Sequence, residues 1–233
     1  MHISGEAIII KVKPQSRGTF LVNLFSEKSG KISGLVRGGH KKNADLQLGN
    51  IVEFEQTKRL ESQLGSLRVE LLFAPSANLF SSANAMQVLQ YMCELFMFSL
   101  AEGESHPRLY NSSKEFLKKM DEKNIWENLG LFELSFLSSI GYGLSLDEGS
   151  AVREEGDNSP LIYVSPKSGR AVSEQAGKPY KDKILALPSI FGGKSKDLLD
   201  VFALTGHFLD IALEGRPLKG RAELMRSVRE QIK

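Results

Sequence analysis

The chain has 233 residues, 41% hydrophobic and 25% charged, with a formal net charge of +2. That excludes a mostly disordered chain and leaves apolar surface for one large domain or two small ones. The single cysteine, Cys93, excludes a disulfide framework and any multi-cysteine zinc or iron–sulfur site, and fits a reducing cytosol.

Residues 1–6 lack the basic and apolar regions of a signal peptide. Five strands are expected next. Residues 7–12 are an apolar run ending at Pro14, and Gly18 precedes residues 19–25, apolar on both faces except for Asn23. Two covered faces suit a strand in a closed barrel. Gly30 opens residues 31–37 and Gly49 precedes residues 50–58, where Glu53 and Glu55 alternate with Val52 and Phe54. Gly65 precedes residues 66–73, stopped by Pro75. Five short strands punctuated by Gly and Pro predict a small barrel or sandwich.

Near Asn78 the apolar period changes from 2 to 3.6. Residues 85–101 form an apolar stretch broken by Gln87, Gln90 and Glu94, which reads as a buried helix and not a membrane span. Helices are also expected over 107–123, 126–140, 196–213 and 221–232. Residues 141–193 read as irregular, with one strand-like piece at 161–164. The expected organisation is α+β: an N-terminal β-barrel over residues 1–78 and a mainly helical domain over 79–233, with the irregular insert inside it.

Charge is distributed unevenly. Residues 11–42 hold Lys11, Lys13, Arg17, Lys28, Lys31, Arg37, Lys41 and Lys42 against Glu27 alone, a net +7. Residues 43–110 hold four basic and eight acidic residues. A basic run on a small barrel is the footprint expected for a phosphate backbone, and such barrels bind single strands with a cationic groove and aromatic rings. Phe20, Phe25 and Phe54 are the nearby rings, either stacking platforms or core side chains. Residues 34–42 (GLVRGGHKK) read as a strand entering a Gly-rich basic loop, a phosphate cradle or a plain hairpin turn.

No catalytic set emerges. Gly192-Gly193-Lys194-Ser195 follows Pro188 where a phosphate loop needs Gly, so Ser195 reads as a helix cap. His207 and Asp210 read as a local surface pair. Arg216, Lys219 and Arg221 cluster between the last two helices, a second candidate contact for phosphate or an acidic peptide.

Four segments stand in order along the chain: Gly5-Glu-Ala-Ile-Ile-Ile with residues 19–26 and Gly30-Lys-Ile; Val36-Arg-Gly-Gly-His-Lys-Lys42; residues 141–147 with 163–172; and Gly215-Arg-Pro-Leu-Lys-Gly-Arg221. Together they resemble the bacterial RecO family of recombination mediators. The resemblance implies an N-terminal OB-fold, a C-terminal helical domain and a non-enzymatic factor of the cytoplasm and nucleoid. It implies binding of single- and double-stranded DNA, annealing, and loading of RecA with RecR onto strands coated by single-strand-binding protein (SSB). It also implies binding of the acidic SSB tail, for which Arg216, Lys219 and Arg221 beside Leu213, Leu218 and Leu224 are the candidates. Lys11, Lys13, Arg17, Lys31, Arg37, Lys41 and Lys42 are the nucleic-acid candidates. Many relatives carry a four-cysteine zinc site after the Gly-Tyr-Gly turn. Residues 147–170 here contain no cysteine, so no metal or cofactor is implied. The loop 148–158 and the turn 165–169 must then hold by packing and hydrogen bonds. The alternatives are an RNA-binding OB protein, or an enzyme seated in residues 141–193.

Overall fold

The computed structural model describes residues 1–38, 45–60, 64–75, 82–120 and 122–231. The chain divides into two compact units, residues 1–123 with 218–227, and residues 124–217 with 228–233. The change from strand to helix falls inside the first.

That unit begins with β1 (His2–Ser16), β2 (Thr19–Ser26), β3 (Gly30–Arg37), β4 (Ile51–Thr57) and β5 (Gly65–Phe73). They close an OB-like barrel in the order β1-β2-β3-β5-β4, with β4 returning to β1. All neighbours are antiparallel except β3 and β5, which are parallel. Inward-pointing Ile9, Val22, Leu24, Val36, Val52, Phe54 and Val69 fill the barrel. Gly18 takes φ +72 in the tight turn between β1 and β2, a conformation that costs other residues energy. β1 runs past Pro14, where the sequence predicts its end. Beyond Ile8 it pairs only with β2, and a register shift follows Pro14. An edge position at a bulge tolerates the missing N–H.

Two helices cover part of the barrel's outer surface. In α1 (Ala83–Ser99), Ser82 caps the start by accepting from Ala85 N at 3.2 Å. Its Phe96 ring lies 5.1 Å from Phe25. In α2 (Pro107–Lys119), Tyr110 meets Phe25 edge-on at 5.6 Å. The Tyr110 hydroxyl donates to Glu6 Oε1 at 2.7 Å, and Lys114 Nζ donates to the same oxygen at 2.5 Å. Burial pushes the Glu6 carboxyl up, but the two donors together hold it below its usual range. Burial pushes the Cys93 thiol on α1 up to about 12, so it stays protonated and inert.

The second unit is built on α3 (Ile125–Ser139) and α5 (Leu198–Ala212). Trp126, Leu129, Phe132, Phe136, Val201, Phe202, Phe208 and Leu209 are among its buried apolar residues. Buried Glu133 accepts from the Thr205 hydroxyl. The stretch expected to be irregular holds β6 (Leu161–Val164), β7 (Ala171–Ser173) and β8 (Leu185–Ala186), in the order β7-β6-β8, with α4 (Glu174–Gly177). Strands this short complete no more than two alternations, too few to read as a period. The cap of α5 is Asp197, which accepts from Leu199 N at 2.8 Å, and not Ser195, whose hydroxyl donates to Asp200. The helix starts two residues later than the sequence predicts.

Zinc does not fit this subdomain. It contains no cysteine, and among the described residues no cluster of His, Cys, Asp and Glu could hold a metal ion. Hydrogen bonds join the loop instead. Asp157, 7% exposed, accepts from Ser159 N at 2.7 Å and from the Ser173 hydroxyl on β7. Arg153 donates to the carbonyls of Asp157 and Ser159 and to Glu148 Oε2. The bonds from Ser159 and Ser173 hold the Asp157 carboxyl below its usual range. Among the described residues no helix is long and apolar enough to cross a membrane.

Candidate nucleic-acid interface

A register shift between Ile9 and Lys11 resets the alternation of β1. Ile9 points into the barrel and Val12 packs against the core, which leaves Lys11 and Lys13 outside and exposed. Across the ladders Lys13 faces Leu21, which faces Leu35; Lys11 faces Asn23, which faces Ser33. Arg37 faces Thr19 at the open end of this surface, next to the turn that carries Arg17. The Gly38 N–H, donating to Gly18 O at 2.9 Å, ties the two together. Lys11, Lys13, Arg17 and Arg37 are all exposed and, among the described residues, form no ion pair. Four cations thus share one outer face of β1, β2 and β3.

Lys31 differs. It lies on the same side of β3 but is half-buried, and its Nζ donates to Met97 O at 3.3 Å at the end of α1. Lys41 and Lys42 lie outside the described residues. Phe25 and Phe54 are fully buried and Phe20 packs against the core, so they are core rings and not stacking platforms.

The opposite face carries the opposite sign, which sequence reasoning missed. Glu53 faces Glu70, and Glu55 faces Arg68, its ion-pair partner at 3.9 Å; all are exposed on β4 and β5. The alternation of Glu53 and Glu55 was the available signal. Acidic side chains repel a phosphate backbone, so among the described residues the cationic side of the barrel suits nucleic acid better than this one.

The second basic cluster is divided between the units. Arg216 lies in the second, exposed, 3.9 Å from Glu214. Lys219 and Arg221 lie in the first, at the start of α6 (Lys219–Gln231). Lys219 is exposed and Arg221 half-buried. The helix N-terminus is already satisfied by a carboxylate of the chain itself: Glu94 accepts from Lys219 N at 3.0 Å and Gly220 N at 2.8 Å. Leu213, Leu218 and Leu224 are buried. His207 lies 3.0 Å from Pro166 O, so its ring is engaged by a backbone carbonyl.

The family profile described as Recombination protein O N terminal matches residues 1–75, and Recombination protein O C terminal matches residues 81–222. A DNA repair protein RecO from Paracoccus denitrificans is 36% identical over 97% of this chain and 95% of its own length. Those from Beijerinckia indica and Agrobacterium fabrum are 41% and 37% identical, each over 90% of this chain and 86% and 84% of their own. The basic barrel face and these matches, which run nearly end to end, agree: the chain belongs to the RecO family of DNA repair and recombination proteins.

Proposed function

We propose that the chain is a DNA-binding recombination mediator with no catalytic step of its own. It binds single- and double-stranded DNA through the barrel domain, residues 1–78, and anneals complementary strands. With RecR it assists the loading of RecA onto SSB-coated single strands at the nucleoid. Arg216, Lys219 and Arg221 hold the acidic SSB tail. The observation that carries the reading is the set of exposed cations Lys11, Lys13, Arg17 and Arg37 on one face of the barrel, opposite an acidic one. Two strands repel each other, and a cationic surface that holds one by its phosphates while leaving its base edges free lowers that barrier to pairing.

The test is a salt titration with labelled single-stranded DNA. Four to six neutralised phosphates at about 0.7 each give a log–log slope of about −3 to −4. K11E/K13E should lower affinity and flatten the slope by about 1.4, and should slow annealing while sparing the tail peptide. R216E/K219E should weaken tail binding and spare DNA. A slope near zero overturns the reading. Tighter binding of RNA than of DNA of the same sequence favours the alternative, an RNA-binding OB protein.

A further inference from the structure

β3 and β5 pair through Gly34↔Gly65 and Leu35↔Ser66, and, among the described residues, residues 30–33 of β3 have no partner on β5. A cavity of about 450 Å³ opens beside them, a volume suited to one small ligand. Ile3 and Ile32 give it apolar walls. Buried Gln56 closes one side, its Nε2 donating to Ser33 O at 2.7 Å. The Ser33 hydroxyl accepts from Asn23 Nδ2 and donates to Glu102 Oε1, both at 2.7 Å. Backbone pairing holds Glu102 in place, with Gly103 N donating to Lys31 O at 3.1 Å. Among the described residues, Lys28 and Lys58 line the opening and form no ion pair, and Glu102 is the one acid in the lining.

These groups specify a ligand. Apolar walls suit a flat ring, two free ammonium groups suit phosphates, and a fixed carboxylate suits an amino group. A nucleotide whose base carries an exocyclic amine has all three. The cavity adjoins the strand that carries Arg37: Ser33 and Arg37 share the outer side of β3, four residues or about 13 Å apart.

We infer that this cavity is a nucleotide pocket: a single strand lying along β3 places one amino-bearing base between Ile3 and Ile32, its amine on Glu102 and its flanking phosphates on Lys28 and Lys58. The inference rests on the DNA-binding reading above. A carboxylate that accepts from the cytosine amine has no such donor in thymine. The selectivity is therefore built by Glu102, while the lysines add affinity without regard to base.

The experiment compares labelled oligo-dC with oligo-dT on the full chain. Wild type should bind oligo-dC about five-fold more tightly, and E102A, which removes the acceptor at an exposed position, should abolish the preference. K28E/K58E should weaken both oligonucleotides and flatten the salt slope by about 1.4. Equal wild-type affinities, a preference that survives E102A, or a slope unmoved by K28E/K58E while K11E/K13E lowers it would each overturn the pocket and leave DNA binding intact. A wild-type chain without affinity for either oligonucleotide would overturn both.

Discussion

Glu94 on α1 and Gly220 on α6 meet as carboxylate and amide, with Oε2 accepting from the Gly220 N–H at 2.8 Å. A Cβ at position 220 would stand 2.8 Å from that oxygen and 3.2 Å from the Tyr91 Cα. Gly220→Ala is therefore expected to displace the cap and lower stability by about 1–2 kcal/mol. Glu94→Ala should cost about 1 kcal/mol through the lost cap. Thermal melts of both variants check this; an unchanged Tm in Gly220→Ala would show that the helix start is free to move.

The acidic outer face of β4 and β5 should act as a repulsive wall. Neutralising it with E53Q/E55Q/E70Q is expected to speed association with single-stranded DNA several-fold at about 0.01 M salt, where the Debye length is about 30 Å. At about 0.15 M, with a Debye length near 8 Å, the gain should vanish. Stopped-flow association at the two salts is the measurement. A gain that persists at the higher salt would mean direct contact with the strand in place of long-range repulsion.

Glu6 links stability to pH. Its folded carboxyl titrates below the ordinary 4.5, because Lys114 and Tyr110 outweigh burial. The group therefore contributes stability above about pH 4.5, and that contribution is lost as pH falls through the lowered folded value. At pH 7, E6Q should be about 1 kcal/mol less stable, a modest figure for a pair partly in solvent. The difference should narrow steadily below pH 4.5. Melting both proteins from pH 7 to pH 3 tests the sign; a gap that widens in acid contradicts it.

Asp157 takes the cross-linking part in a subdomain where no cluster of His, Cys, Asp and Glu among the described residues could hold a metal ion. Its substitution by Ala strands the Ser173 hydroxyl and the Ser159 N–H, an expected loss of about 1–3 kcal/mol. Limited proteolysis should cut D157A first within residues 148–158. A chelator should leave the wild-type melting temperature unchanged. Zinc-dependent stability in the wild type would contradict this account.

The barrel was legible because its strands are five or more residues long and bounded by Gly or Pro. What could not be read was which face each side chain takes once a helix covers the outside. Phe25 and Lys31 sit at alternate positions that open solvent would expose. Phe25 is buried beneath Phe96 and Tyr110, and the Lys31 ammonium is held on Met97 O. The contact of Lys31 with Met97 spans 66 residues, far beyond any local pattern. The cap at Asp197 was missed for the opposite reason: Ser195 and Asp197 are both good caps, and local chemistry does not choose between them. The four exposed cations were found because a run with one acid in 32 residues survives any register.

β1 belongs to two ladders at once. Ala7 faces Ser26 on β2 and Val52 on β4, and Ile8 faces Phe25 and Ile51. Its ladder with β2 closes through a tight turn, whereas His2 and Thr57 are 55 residues apart. Local pairing forms early and distant pairing late, because long loops cost entropy before their contacts form. A chain emerging during synthesis therefore completes its cationic hairpin while the acidic strand that closes the barrel is still unpaired. Pulsed hydrogen exchange during refolding should protect amides between β1 and β2 before those between β1 and β4. For that interval the new chain is a polycation without its counterweight, at its most adhesive toward RNA.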